Sequence, residues 1–438
     1  MYIIYPKCLL PLLLPLLLPF NTNAIVVKKS SCKTAVDCSY SGECIHGVCK
    51  CNVQWSGPNC TKLNLMPSLS INAAGMRRNT SSSWGGGVIW DAKRQRWSMV
   101  FADMISHCGL KTWKTNSRIV MATNDSPTSP TGPFNFFYNN SASIIMPFWS
   151  HNPTIHGPIN QSNNVNNNEV EHIYLIYHIG DGHKSVIHGS PRTDCKNGTT
   201  PTSSSDIFNS NGRRRRNNYI GNNDLSSPVP YPPFVLPKVV TPNILVSNDI
   251  NGPWKPYKWG KDVGWSCNNP GATFLKNGTV ILVCKVLVTQ GPEKGLPWRQ
   301  MAIYAAPSWD SPYKFQRLTP VYGEDGYIWY DPKADGGTGA FHMLLHAMRP
   351  VKIPTTAWSK DGLDWIPNGY AGPSANPQPR SSFNYSIAMR NGDVLRVQRR
   401  ERHQPIFKDG KLIGLCNGVT TVDRSDYSFT ACVPVKSS

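Results

Sequence analysis

Two acids stand side by side at Glu324-Asp325, a third, Glu401, sits within Arg399-Arg400-Glu401-Arg402, and a fourth, Asp103, ends the run that starts at Trp97. Carboxyl groups held in unlike surroundings can hydrolyse a glycosidic bond, one kept protonated as the acid and the other ionised. Adjacent acids repel each other, so structure alone explains Glu324-Asp325 least. Glu401 also reads as an ion pair with its flanking arginines, and Asp103 as a strand-end cap. Around these acids, His151, Asn152, Asn269, His346, Arg399 and Arg402 carry polar groups suited to sugar hydroxyls, and Trp84 and Trp149 offer flat apolar platforms. His107, His151 and His346 read as sugar contacts, acid–base groups, metal ligands or hydrogen-bonded core residues. No His/Cys spacing spells a zinc site, so neither a metal nor a cofactor is expected.

These residues must be positioned by strands. From about Leu63 onward the chain repeats a strand-turn-strand unit, the sequence sign of a radial or stacked architecture. The first unit holds Gly85–Trp90, Trp97–Phe101 and Ile119–Thr123, and the second His151–Ile155, His172–Tyr177 and Asn243–Val246. The third holds Asn269–Leu275, an Asn277-Gly278 turn, Thr279–Val283 and Met301–Ala306, and the fourth Glu324–Tyr330, Phe341–His346 and Thr356–Trp365. The fifth is read as Tyr385–Met389, Val394–Gln398, Gln404–Phe407 and Lys411–Leu415, with turns at Asn391-Gly392 and Asp409-Gly410. Asn-Gly accepts the positive φ of a tight hairpin turn, which is why it joins twisted antiparallel strands. Asp361-Gly362 reads likewise as a hairpin tip with Trp365 packed beneath it. A motif order that returns this regularly favours an all-β, five-bladed β-propeller over a sandwich.

Residues 1–24 form a signal peptide: a Leu/Pro run interrupted by prolines and too short to span a bilayer, ending in small residues at Ala24. The mature chain is therefore expected to be secreted and extracellular, with no membrane span. Sequons at Asn59, Asn79, Asn124, Asn139, Asn160, Asn197, Asn277 and Asn384 suit a glycoprotein. Asn-rich residues 160–168 and the Ser/Asn/Gly-rich stretch 196–223 cannot build a core and read as disordered insertions. Arg213–Arg216 within the second reads as a solvated charge run, a processing site or an anion contact. The formal charge of +19 suggests nucleic acid at first sight, but a secreted chain rarely meets it. A glycan or polysaccharide, neutral or acidic, is the expected partner; dispersed surface charge is the plain alternative.

Cys32, Cys38, Cys44, Cys49, Cys51 and Cys60, with the tight pair Cys49-Lys50-Cys51 and the ending Trp55-Ser56-Gly57-Pro58-Asn59-Cys60, resemble an EGF-like domain over residues 25–62. The resemblance implies bridges Cys32–Cys44, Cys38–Cys49 and Cys51–Cys60 and a module open to a protein partner. A module this short cannot bury enough apolar surface, so crosslinks must restrict its unfolded chain. Lys28-Lys29-Ser30-Ser31 lacks the acids of a calcium-binding variant. Among the remaining cysteines, Cys267–Cys284 and Cys416–Cys432 each flank one hairpin, and Cys108–Cys195 follows by elimination.

The repeats, residues 63–438, resemble the five-bladed propellers of glycoside hydrolase family 43 and its arabinanase, xylosidase and invertase relatives. The residues that carry this are His151-Asn152-Pro153, Glu324-Asp325 before Tyr327-Ile328-Trp329, His342, His346 and Trp358–Trp365. The family implies an inverting hydrolase with acids at the starts of its first three blades. Here those places hold Gly85-Gly86-Gly87, Asn152 and Asn268-Asn269-Pro270, so the candidate acids move to Glu324, Asp325, Glu401 and Asp103. Two functions stay open: a secreted glycoside hydrolase acting on an extracellular polysaccharide or glycoconjugate, and a non-catalytic carbohydrate-binding or adhesion protein. A signalling ligand acting through the module is a third, weaker reading.

Overall fold

The computed structural model describes residues 32–136, 143–147, 149–160, 172–180, 190–200, 234–235, 242–257, 268–288, 298–348, 352–369, 379–422 and 426–437. The expected signal peptide, residues 161–168 and 201–223 of the expected insertions, Arg213–Arg216 and Cys267 lie outside them. The described chain is built almost wholly of antiparallel strands, and its only α-helix is the single turn Trp113–Asn116. None of its helices is long and apolar enough to cross a membrane.

The first described residues form a small hairpin, Gly42–Ile45 against Val48–Cys51, held by disulfides Cys32–Cys44, Cys38–Cys49 and Cys51–Cys60. It is no free spacer. Trp55 stacks on Trp329 with ring centroids 6.4 Å apart and on His342 at 5.6 Å, and one buried cluster joins Cys38, Trp55 and Cys60 to Trp329 and Leu344. Hydrogen bonds from Leu63 N–H to Ser382 O and from Thr356 Oγ1 to Thr61 O complete the seam.

Four strands from Ser83–Asp91 to Ile144–Met146 make the first sheet, and four from His151–Asn160 to Lys255–Tyr257 the second. Strands from Asn268–Phe274 to Trp365–Pro367 form one continuous path, which turns from one face to the next within the long strand Lys314–Asp331. Val397–Lys408, Lys411–Thr421 and Ser428–Pro434 make the last sheet. Its free edge is met by the chain's early residues, through bridges Leu65–Val435 and Met76–Thr430.

Five strands share one irregularity. Pairing skips two residues between Trp84 and Gly87, His151 and Thr154, Asn268 and Gly271, Glu324 and Tyr327, and Glu401 and Gln404. In each bulge the first skipped residue has left-handed φ: Gly85 63°, Asn152 52°, Asn269 55°, Asp325 61° and Arg402 54°. Gly, Asn and Asp tolerate that region, whereas an arginine there is strained and must be held by its contacts.

Two expectations are corrected. Ile387–Ala388 and Val394–Leu395 form a separate two-stranded hairpin, so the fifth unit begins at Val397, because the edge partner comes from residues 65–76 rather than from the preceding sequence. Residues 196–200 are not disordered: Cys108–Cys195 anchors them, Lys196 bridges Thr199, and Thr200 N–H donates to Asp426 Oδ2 at 2.8 Å. Cys416–Cys432 joins facing residues of the last sheet, and Cys284 is disulfide-bonded. At the Asp361 turn, the carboxylate accepts from Leu363 and Asp364 N–H while Trp365 Nε1 donates to Gly362 O, which is the hairpin-tip role.

Candidate active site

Residues from all five bulges line one open cavity of about 510 Å³: Trp84, His151 with Asn152, Asn268 with Asn269, Glu324 with Asp325, and Glu401. A bulge turns the residue beside it out of the pleat, which re-aims a side chain toward a site. The repeated irregularity thus places five chemically different groups around one space.

Beneath it the left-handed residues form a closed polar belt. Asn152 Nδ2 donates to Asn269 Oδ1 at 2.6 Å, and Asn269 Nδ2 donates to Asp325 Oδ1 at 2.5 Å. Arg402 Nη1 lies 3.8 Å from Asp325 Oδ1, and its Nη2 donates to Asn152 O at 2.5 Å and Thr154 Oγ1 at 2.7 Å. Gly85 leaves room for this arginine, since a Cβ there would stand 2.8 Å from Arg402 Cγ. Arg402 is fully buried. It supports the pocket floor and, contrary to expectation, does not reach the cavity as a sugar contact.

The acids divide by environment. Burial opposes ionisation of Glu324, but Lys285 Nζ at 2.7 Å and Arg299 Nη1 at 3.1 Å outweigh it and hold the carboxyl down at about 2. Burial, then Asp325 and Glu324, push Glu401 up to about 7. Burial and Glu324 push Asp325 up to about 6 against the pull of Arg402. Burial keeps His151 neutral, down at about 3, with Arg402 adding to the effect; its Nδ1 lies 2.8 Å from Ser117 Oγ and its ring stacks on Trp113.

His346 is fully buried, sits behind the acids with Nδ1 3.8 Å from Glu401 Oε1, and shares a 3.2 Å hydrogen bond with Tyr385 Oη. Glu324, His346 and Glu401 each bring one donor atom within 4.8 Å of the other two, although their sequence spacing gave no such hint. Lys285 and Arg299 already occupy the Glu324 carboxylate, so the cluster is filled by the protein's own cations.

The structure brings Glu324, Asp325, Glu401, His151, Asn152, Asn269, Arg399 and Trp84 to the cavity. Asp103 does not arrive there: it is fully buried beneath the first sheet and gripped by Arg78 and by Arg118 Nε, the latter at 2.8 Å. Arg118 faces it across the strand pair, and that cross-strand position is the signal that would have identified a structural ion pair. Trp149 is buried outside the cavity lining, so its face is no platform. Lys111, Trp113, Lys285, Arg299, Met348, Lys352 and Asp426 line the cavity and were missed. They come from neighbouring strands and connections, which a search of repeating strand starts does not reach.

No protein-family model and no curated protein matches the chain. Similar solved structures include a family 117 glycoside hydrolase of the marine bacterium Zobellia galactanivorans, at TM-score 0.46 and 11% identity over 85% of this chain and 91% of that one. Others are the catalytic domain of a GH62 α-L-arabinofuranosidase of Coprinopsis cinerea (0.45, 9%, 87% and 97%) and a thermostable family-43 glycoside hydrolase (0.44, 12%, 85% and 96%).

Proposed function

We propose that this chain is a secreted glycoside hydrolase: a five-bladed propeller over residues 63–438 that carries an EGF-like module over 25–62 and acts on an extracellular polysaccharide. The fivefold return of the same bulge supports the blade count, and the five bridges between described cysteines suit an oxidising compartment. One observation carries the activity: Glu324 and Glu401 project from different strands into one cavity, in surroundings that drive their ionisation apart. Glu401, protonated, donates to the glycosidic oxygen as the bond to the anomeric carbon breaks; the Glu324 carboxylate takes that carbon. Water, deprotonated by Glu401, then releases the sugar and frees Glu324.

Their closest donor atoms lie within 4.8 Å of each other. That bound on their nearest atoms favours the roughly 5–5.5 Å spacing of a double-displacement pair over the roughly 6.5–9.5 Å at which an inverting pair admits a water. The proposed outcome is retention of anomeric configuration, unlike the inversion the resemblance implies. The test is reducing-end release from plant, algal and animal polysaccharides, with the product anomer read by proton NMR. Release abolished by both Glu324→Gln and Glu401→Gln supports the reading, whereas binding on a glycan array without turnover selects a non-catalytic glycan-binding protein. The module's hairpin keeps Ile45 and Val48 exposed, which leaves a face for a protein partner.

A further inference from the structure

Five cationic side chains line the cavity: Lys111, Lys285, Arg299, Lys352 and Arg399. Glu324 takes two of them, Lys285 and Arg299. Among the described residues, no carboxylate lies within ion-pair distance of Lys111, Lys352 or Arg399. The remaining acids do not neutralise them. Asp426 is occupied by the backbone N–H groups of Lys111 at 2.6 Å and Thr200 at 2.8 Å, and Asp325, at the cavity floor, is held by Asn269 and Arg402. Lys352 and Arg399 both act on Glu401 and on His346 beside it, which puts two uncompensated charges next to the proposed proton donor.

We propose that the pocket takes an anionic sugar, with a carboxylate or sulfate substituent seated between Lys352 and Arg399 and a second anionic residue of the polymer reached by Lys111. Like charges converging on a concave, partly desolvated site repel one another until an anion fills it, and their summed field concentrates polyanions at the mouth. Arginine supplies the planar fork that fits a carboxylate or sulfate, and lysine a compact point charge. A neutral polymer would leave all three cations unmatched.

The turnover arm of the test rests on the hydrolase reading, and the binding arm does not. Polyuronates and sulfated galactans are compared with their carboxyl-reduced and desulfated forms, by reducing-end release and by equilibrium binding, so that the two sources of anion are separated. The expected result is at least a tenfold preference for one native polyanion over its neutral form, weakened by added salt, with Lys352→Gln/Arg399→Gln cutting that ratio at least tenfold. Both side chains are exposed, and an unchanged melting temperature shows that the variant folds. Equal or better use of the neutral forms, or a ratio unmoved by the variant, overturns the proposal. Anion-selective binding with no turnover of any polymer overturns the hydrolase reading and keeps this one. Absence of both binding and turnover overturns both.

Discussion

The floor of the pocket and the seam under Trp55 lie on the same strands and are built oppositely. Within the strand Lys314–Asp331, two adjacent acids, Glu324 and Asp325, sit on a bulge; five residues after Glu324, Trp329 lies flat against Trp55 and His342 in an apolar stack. The seam is closed and aromatic. The pocket keeps strained backbone, buried charge and cations without partners. The contrast teaches that one strand can serve stability at one end and chemistry at the other, and that each end should fail in its own way.

The largest expected effect lies in the pocket. Glu401→Gln and Glu324→Gln should each lower kcat/KM about 10³-fold, roughly 4 kcal/mol of transition-state stabilisation, while the melting temperature stays within a few degrees. A comparable loss of stability from either variant would break the distinction between the two regions. At the seam, Trp55→Ala should destabilise the module's docking by about 3–5 kcal/mol. Limited proteolysis should then cut within 32–63, with turnover retained by the rest of the chain. Loss of turnover in step with docking would show that the seam reaches the chemistry.

Arg402→Met tests the belt that joins both concerns. Removing one partner of a buried charge pair costs about 3 kcal/mol or more, and Asp325, freed from its cation, should titrate higher still. The expected readout is lowered stability together with a shifted pH profile, a combination that damage to packing alone does not produce.

The smallest effect is in pH dependence. Glu401 must stay protonated to donate, so kcat/KM should fall as pH rises through about 7, with Asp325 near 6 contributing to the same limb. Arg399 and Lys352 pull Glu401 down, so Arg399→Gln should move the limb upward. Because its folded value lies above its ordinary 4.5, the stability linked to Glu401 is complete below about 4.5 and is lost as pH rises through about 7. Glu401→Gln removes that loss, and its unfolding free energy should gain on the parent's across this window by an amount on the order of 1–3 kcal/mol.

Much of this site was legible where turn chemistry repeats. His151-Asn152-Pro153, Asn268-Asn269-Pro270 and Glu324-Asp325-Gly326 announce bulges through residues that accept left-handed φ, and they mark the pocket correctly. Arg402 occupies the same conformation with a side chain that argues against it, so its supporting role was read as substrate contact. Lys285 and Arg299 were invisible because long side chains from second and third strands reach the pocket without any local pattern. Asp103 misled because an acid at a strand end looks alike in sequence whether it faces a cavity or a buried arginine. Likewise the closing of the last sheet by residues 65–76 leaves no mark near Ser428–Pro434.

That closure bears on how the chain is made. Synthesis runs from the amino terminus, and Leu65 and Met76 await Val435 and Thr430, which lie 370 and 354 residues further along the chain. Sheets earlier in the chain can fold as they appear, but these bridges cannot form until the last sheet has emerged, and contacts this distant in sequence form slowly. A nascent chain that has not yet reached Ser428–Pro434 therefore holds residues 65–76 without the strand they pair with.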